Sequence, residues 1–316
     1  MTLEGLGYSV LACVVAVVLD RLLGEPSRWH PLVGFGAMVS RVEARLNRRD
    51  GSTVGRGLLA FVVVVILPLV LAVVVDALLP QPWLMVVGAV VLWLAMSLRG
   101  LAEHGEAVAA PLAAGDLELA REQVGRIVSR QASALDEAGV AAAASESMLE
   151  NGADAVFASL FWFLVAGIPG VVLHRMVNTL DAMWGYRNQR FLKFGRVAAR
   201  VDDAMNWIPA RLTALTYALL GNTRLAWQCW QRQGRVWDSP NAGPVMAAGA
   251  GALAVTLGGP APYAGGIKER PHLGQGPKPG AATVYRAIAL VRRGVALWLA
   301  VLVLVALLAL AAGGWQ

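Results

Sequence analysis

Three carboxylates, Glu146, Glu150 and Asp154, recur at every fourth residue of E-S-M-L-E-N-G-A-D. On a helix this spacing sets them along one slowly drifting face. There they repel one another unless a cation or guanidinium groups stand opposite. Magnesium suits such a face, because it takes oxygen ligands and bridges to substrate phosphates; a solvated acidic face is the plainer reading. A second cassette, D-D-x-x-N, holds Asp202, Asp203 and Asn206 between Arg196, Arg200 and Arg211. It reads either as a hard-cation site or as an Asp–Arg ion-pair network at a membrane boundary. Asn178 and Asp181 offer the same two readings at i,i+3. Glu146, Glu150, Asp154, Asp202 and Asp203 are thus the expected metal set, with Glu150, Asp202 and Asp203 expected as metal ligands or general base.

Arg187, Arg190 and Lys193 alternate with Tyr186, Phe191 and Phe194. Guanidinium forks suit a phosphate; the same residues equally suit anchoring to anionic headgroups. Lys268, Glu269 and Arg270 follow Gly265-Gly266 and form either a phosphate cradle or an ordinary charged turn. Several chemistries lack their signatures. His30, His104, His174 and His272 have no metal spacing, and Cys13 and Cys229 form no C-x-x-C. G-x-x-x-x-G-K-[ST] and G-x-S-x-G are both missing.

The frame that must hold these groups is apolar. Of 316 residues 57% are hydrophobic and 15% charged, with mean hydropathy +0.57; a soluble domain is about 25% charged. The expected fold is all-α: a multipass helical integral membrane protein with cytoplasmic helical and loop-rich segments. Residues 1–98 are read as membrane helices around a structured cytoplasmic loop, 24–56, with a basic amphipathic helix over Val39–Arg49. Leu58–Val75, carrying Pro68, and Trp83–Leu98 form a spanning hairpin. Residues 99–154 are expected as two or three soluble helices, with Asp116 an N-cap. Residues 155–294 form the active-site region, in which Ala155–Leu173 and Ile208–Leu220 are ambiguous. G-I-P-G at Gly167–Gly170 breaks the first, which could span or be re-entrant; the arginine-rich stretch between the two runs favours neither of them crossing. Gln231–Arg293 reads as loops, and residues 295–316 hold a last span. Six arginines over residues 24–56, against no Lys or Arg in Asp76–Pro82, residues 1–19 or 313–316, put the loops on the cytoplasmic side. The net charge of +6 is spread over loops, and no nucleic-acid-binding motif accompanies it.

The cassettes also fall in the order of a known family. L-D-R-L-L-G-E-P with W-H-P-L-V-G (Leu19–Gly34), L-D-E-A-G-V-A (Leu135–Ala141) and the Glu146–Asp154 run come first. V-N-T-L-D-A-M-W-G-Y-R-N (Val177–Asn188), F-G-R-V-A-A-R-V-D-D-A-M-N-W-I-P-A-R (Phe194–Arg211) and S-P-N-A-G-P-V-M-A (Ser239–Ala247) follow. L-G-G-P and Y-A-G-G-I-K-E-R-P-H-L-G (Leu257–Gly274) close the series. Together they resemble the CobD/CbiB family of cobalamin biosynthesis, the adenosylcobinamide-phosphate synthases. Family members often read G-R-D-T where this chain has S-R-Q-A (Ser129–Ala132).

The resemblance implies an inner-membrane enzyme with its active site facing the cytoplasm. Such an enzyme uses ATP and Mg2+ to join an aminopropanol phosphate to a propionate carboxylate of adenosylcobyric acid as an amide. It further implies partners: membrane lipid, a corrinoid, and another copy of itself or other cobalamin-pathway enzymes. On that reading Arg187, Arg190, Lys193 and Lys268 hold phosphates. Asn151, Asn178, Asp181, Asn206 and Asn241 contact substrate, the asparagines bonding corrin amides, and Trp184, Trp207 and Trp237 pack on the macrocycle. Two rivals remain. One is a Mg-dependent prenyl or phosphoryl transferase, which a lipid-phosphate substrate would reveal; the other is a non-catalytic sensor of the same family, which would bind neither ATP nor corrin.

Overall fold

The structure, a computed structural model, describes residues 3–26, 30–47, 53–263 and 265–313. Ser27, Arg28 and Trp29 of the first motif, and Arg48 and Arg49 of the expected basic helix, lie outside them. The helices in chain order are α1 Leu3–Leu23, α2 Pro31–Leu46, α3 Val54–Leu78, α4 Gln81–Ala95, α5 Leu98–Ala113, α6 Leu117–Gly125 and α7 Glu137–Asn151. They continue with α8 Ala158–Trp184, α9 Arg196–Leu220, α10 Thr223–Gln233, α11 Ala242–Leu253 and α12 Ala281–Gly313. Among the described residues five helical stretches are long and apolar enough to cross a membrane: Glu4–Leu23, Val54–Leu78, Gln81–Ala113, Glu137–Trp184 and Ala281–Ala312. The chain folds as two compact units. One comprises Met1–Ser97, Ala158–Asn206 and Leu299–Gln316; the other comprises Leu98–Phe157 and Trp207–Trp298.

In the first unit α3 shows why it suits lipid. Leu59, Val63, Leu67, Val70 and Val74 are exposed, while Ala60, Val64, Val65 and Ala72 are buried. The buried stripe packs with Val39 of α2 and with Met176, Leu180 and Trp184 of α8. Gly57 is needed at one end of this seam, since a Cβ there would overlap the Phe194 carbonyl. α2 begins at Pro31, capped by the His30 ring, which accepts from the Leu32 amide. Residues 31–38, expected as loop, are therefore helical: Pro31 occupies the first turn, where its missing N–H costs nothing.

The ambiguous run Ala155–Leu173 is resolved by a reversal inside α8. Ala166 and Gly167 leave helical geometry, Gly167 at φ 58° and ψ −146°. In a continuous helix residues 162 and 170 stand about 12 Å apart along the axis. Here a Cβ on Gly170 would overlap the Trp162 carbonyl, so the second arm folds back on the first. Both arms also meet one segment of α9, because Trp162 Nε1 donates to the Met205 carbonyl (3.0 Å) and His174 Nε2 lies 3.0 Å from Asn206 Oδ1. At the apex Asp76 of α3 accepts the Ile168 amide (3.3 Å) and caps the second arm. α8 is thus a helical hairpin, with twelve of its 27 residues buried.

In the second unit α7 and α11 form the centre. Val140–Leu149 and Ala242–Leu253 are buried along their whole length. The solvent-facing character expected of residues 99–154 therefore fails for α7: runs such as A-A-A-A-S allow close helix packing rather than hydration. Gly249 sits against Leu149, and Gly105 against Met148 and Ile288. α6 starts at its Asp116 cap as expected, the carboxylate accepting from Leu119 N at 3.0 Å. Gln231–Arg293 is more regular than loops. It holds α11, the start of α12 and four strands: β1 Thr256–Gly258, β2 Ala261–Tyr263, β3 Gly266–Lys268 and β4 His272–Gly274. β1 pairs antiparallel with β4, and β2 with β3.

Candidate functional site: a guanidinium-floored cavity

A cavity of about 310 Å³ opens in the second unit. α7 supplies Glu146, Ser147, Glu150 and Asn151 to its wall; Arg130 comes from the segment before α7, Trp237 and Asp238 from the loop after α10, and Lys268 and Arg270 from the β3–β4 region. Three chain segments far apart in sequence meet there because Glu146 gathers them. It is almost wholly buried, and takes Arg130 through Nη2, Arg270 Nη1 at 3.0 Å and the Gly258 amide at 2.9 Å. Gly258, at φ 71°, adopts a turn open mainly to glycine. Arg270 also donates to the Gly259 carbonyl at 3.0 Å and lies over the Trp237 ring, 5.2 Å from its centroid. Arg130 is held beside it by the Gln131 amide, which donates to the Pro262 carbonyl at 3.0 Å.

Glu150 is half-buried on the cavity wall one turn beyond Glu146, and Asn151 is exposed, donating to the Ser147 carbonyl at 2.9 Å. Asp154 departs from this face. It falls in a π-helical turn, Gly152–Phe157, that follows α7, and it does not line the cavity. The wider turn breaks the i,i+4 register on which an acidic triplet depends. Lys268 sits on the rim, paired with Asp238 at 2.6 Å, both partly exposed. Asn241 lies nearby in sequence but is buried, its Oδ1 accepting from Arg211 Nη1 at 2.8 Å.

The remaining expected residues form a separate polar row in the first unit. Asn178 Nδ2 donates to Asp202 Oδ1 at 3.5 Å and receives Arg175 Nη1 at 3.0 Å on its own Oδ1. Asp202 is buried on α9, outside the five apolar stretches. Burial first, then the Asp181 charge, push its carboxyl up to about 7, against the pull of Asn206 and Asn178. Burial also raises Asp203, with the Arg187 charge opposing. Asn206 is 2% exposed and its Oδ1 is engaged by His174; it holds α8 to α9 and offers a ligand no surface. The same holds for Trp184, which is 1% exposed and packed edge-on against Phe194. Arg190 is fixed by Glu43, its Nη2 at 2.7 Å and Nε at 3.1 Å from the two carboxylate oxygens. Arg187 and Lys193 are exposed.

Among the described residues no three His, Cys, Asp or Glu side chains come together as a metal set. Glu146, the first expected ligand, is already matched by two guanidinium groups. Among the described residues the five expected carboxylates do not converge on one point. Sequence reasoning passed over Arg130 and Glu43. Each is a lone charge beside no motif, and only the distant partner gives it meaning.

The helices, the hairpin and this cavity define a multipass helical membrane protein with a polar pocket in its second unit. The chain belongs to the CobD/CbiB family: the family described as CobD/Cbib protein matches residues 13–291. A relative from Chromobacterium violaceum is 56% identical over 305 residues, covering 95% of this chain and 97% of its own. One from Stutzerimonas stutzeri is 54% identical over 307 residues, covering 96% and 98%. One from Mycobacterium tuberculosis is 37% identical over 287 residues, covering 88% and 90%. All three are described as cobalamin biosynthesis protein CobD. No solved structure matches the chain.

Proposed function

We propose that this protein acts in cobalamin biosynthesis as an inner-membrane amide ligase. It would join the amine of an aminopropanol phosphate to a propionate carboxylate of adenosylcobyric acid, with Mg-ATP as co-substrate. The observation carrying this reading is the cavity in which Glu150, a carboxylate, lines a wall beside the buried Arg130 and Arg270. Amide formation needs both functions: a base to strip the ammonium, and fixed positive charge for phosphate and developing oxyanion. The carboxylate substrate is a poor electrophile. Transfer of the ATP γ-phosphoryl to it gives an acyl phosphate and ADP; attack by the amine then releases phosphate and leaves the amide. Glu150 takes the proton. Magnesium would be carried by the nucleotide, since among the described residues the carboxylates gather no three-ligand set.

The test is to incubate detergent-purified protein with adenosylcobyric acid, 1-amino-2-propanol phosphate and Mg-ATP, and to look for the amide by mass. Glu150→Gln is expected to lower turnover by about 10²–10⁴, the range of a lost general base, with the protein still folded. Full turnover by that variant removes Glu150 from the reaction. No product from the wild type, with all three substrates bound, overturns the ligase reading.

A further inference from the structure

We infer that the 310 Å³ cavity seats one small zwitterion, its phosphoryl group on Arg130 and Arg270 and its ammonium on Glu150, and that it excludes the larger reactants. This rests on the ligase reading but assigns which reactant sits where. The first support is charge. On the floor two guanidinium groups face one carboxylate, Glu146, with side chains 9%, 7% and 3% exposed. This buried trio carries one net positive charge, with the carboxylates of Glu150, Asp238 and Glu269 further along the same lining.

The second support is the donor inventory. A guanidinium carries five N–H donors. Arg130 gives one bond to the protein, through Nη2, and Arg270 two, through Nε and Nη1. Neither residue has a fully buried nitrogen without a partner, so the uncommitted donors are open to the cavity both residues line. A phosphoryl group supplies the acceptors and the negative charge together. The third support is zoning. Glu150, one helical turn along α7 from Glu146, is half-buried on the same wall, whereas Asp238 and Glu269 of that lining are exposed. An anion alone is poorly served there; a phosphorylated amine a few atoms long satisfies both ends. Size agrees, because 310 Å³ lies at the small end of ligand pockets, ~300–1,000 Å³, and a corrin macrocycle far exceeds it.

Titration calorimetry on the full chain in detergent, without the other substrates, separates the possibilities. The probes are 2-aminoethyl phosphate, inorganic phosphate, ethanolamine and ATP. Expected is binding of 2-aminoethyl phosphate at least about tenfold tighter than inorganic phosphate, the size of one charge-assisted contact, with ethanolamine weaker than either. Glu150→Gln should erase that preference while keeping phosphate affinity. Arg130→Lys, which keeps the charge but loses the fork, should weaken both phosphates together. Equal binding of the two phosphates in the wild type, a preference that survives Glu150→Gln, or ATP as the sole ligand weakened by Arg130→Lys would each overturn the assignment. A zwitterion preference in a protein that makes no amide leaves this seat standing and removes the ligase reading; amide formation without the preference does the reverse.

Discussion

At the scale of single residues, Glu146 separates buried charge from surface charge. Removing one partner from a buried ion pair costs about 3–5 kcal/mol, because the other is left unmatched. Arg270→Met is therefore expected to lower unfolding stability by that order, read as a fall in melting temperature in detergent. Arg126→Ala is the comparison: Arg126 and Glu122 are both about 60% exposed, and surface pairs contribute about 0–1 kcal/mol. Comparable losses in both variants would show that the floor is hydrated. Asp202 carries a pH signature. Its carboxyl is raised to about 7 from 3.8, so the folded state holds its proton more tightly than the unfolded chain. That stabilisation is complete below about pH 4 and is lost as pH rises through about 7. Melting measured from pH 5 to 8 should fall with rising pH, by a few kcal/mol at most, since each pKa unit corresponds to ~1.4 kcal/mol. Asp202→Asn, facing the same Asp181, Asp203, Asn178 and Asn206, should flatten the trend; an unchanged slope assigns it to another group. Little of this was legible in the sequence. The spacing of Glu146 and Glu150 pointed correctly to one helical face, but the partners of Glu146 lie 16 and 124 residues away, beyond any local pattern.

At the scale of elements, the α8 hairpin was half-legible. G-I-P-G marks a break, and a break in an apolar run reads as re-entrant. The depth of the turn depends on Asp76, 92 residues earlier. Gly167→Ala tests the reversal. Its φ of 58° and ψ of −146° suit glycine almost alone and cost on the order of 1–3 kcal/mol for another residue. The new Cβ would also meet Asp76 Oδ1 at 2.7 Å. The variant should be destabilised by about 2 kcal/mol or more, whereas a continuous helix would gain ~0.5–1 kcal/mol from the same change. Gly7→Ala in α1, with nothing within 4 Å of the added carbon, serves as the unhindered control, expected to gain ~0.5–1 kcal/mol. The four short strands had no sequence signal, since each is three residues long, too short for a period of two to show. α11 was missed because A-G-P and A-G-A-G read as turns, although small residues are what permit a helix to be buried on every side.

At the scale of the whole molecule, the distribution of arginine and the hairpin make one joint statement about sidedness in the membrane unit. The segment after α2 is tied to the 185–195 segment by Asn47 Nδ2, which donates to the Arg190 carbonyl at 3.2 Å, and by the Glu43–Arg190 pair. The α3–α4 turn around Leu79–Gln81 lies at the opposite end of α3. Cysteines introduced at Thr53 and Asn188 should therefore label from one side of sealed vesicles, and one at Gln81 from the other. The native thiols scarcely interfere, since Cys13 and Cys229 are both buried. The positive-inside tendency predicts that the first side is cytoplasmic: Arg41, Arg45, Arg56, Arg187 and Arg190 flank it, and no Lys or Arg falls in Asp76–Pro82. Labelling of Asn188→Cys together with Gln81→Cys would mean that the arms of α8 do not return the chain to where it entered, and would replace the hairpin by a single crossing. Labelling of Thr53→Cys and Asn188→Cys from the exterior would keep the hairpin and invert the protein, moving the polar row of Asp202 and Asp203 away from a cytoplasmic nucleotide.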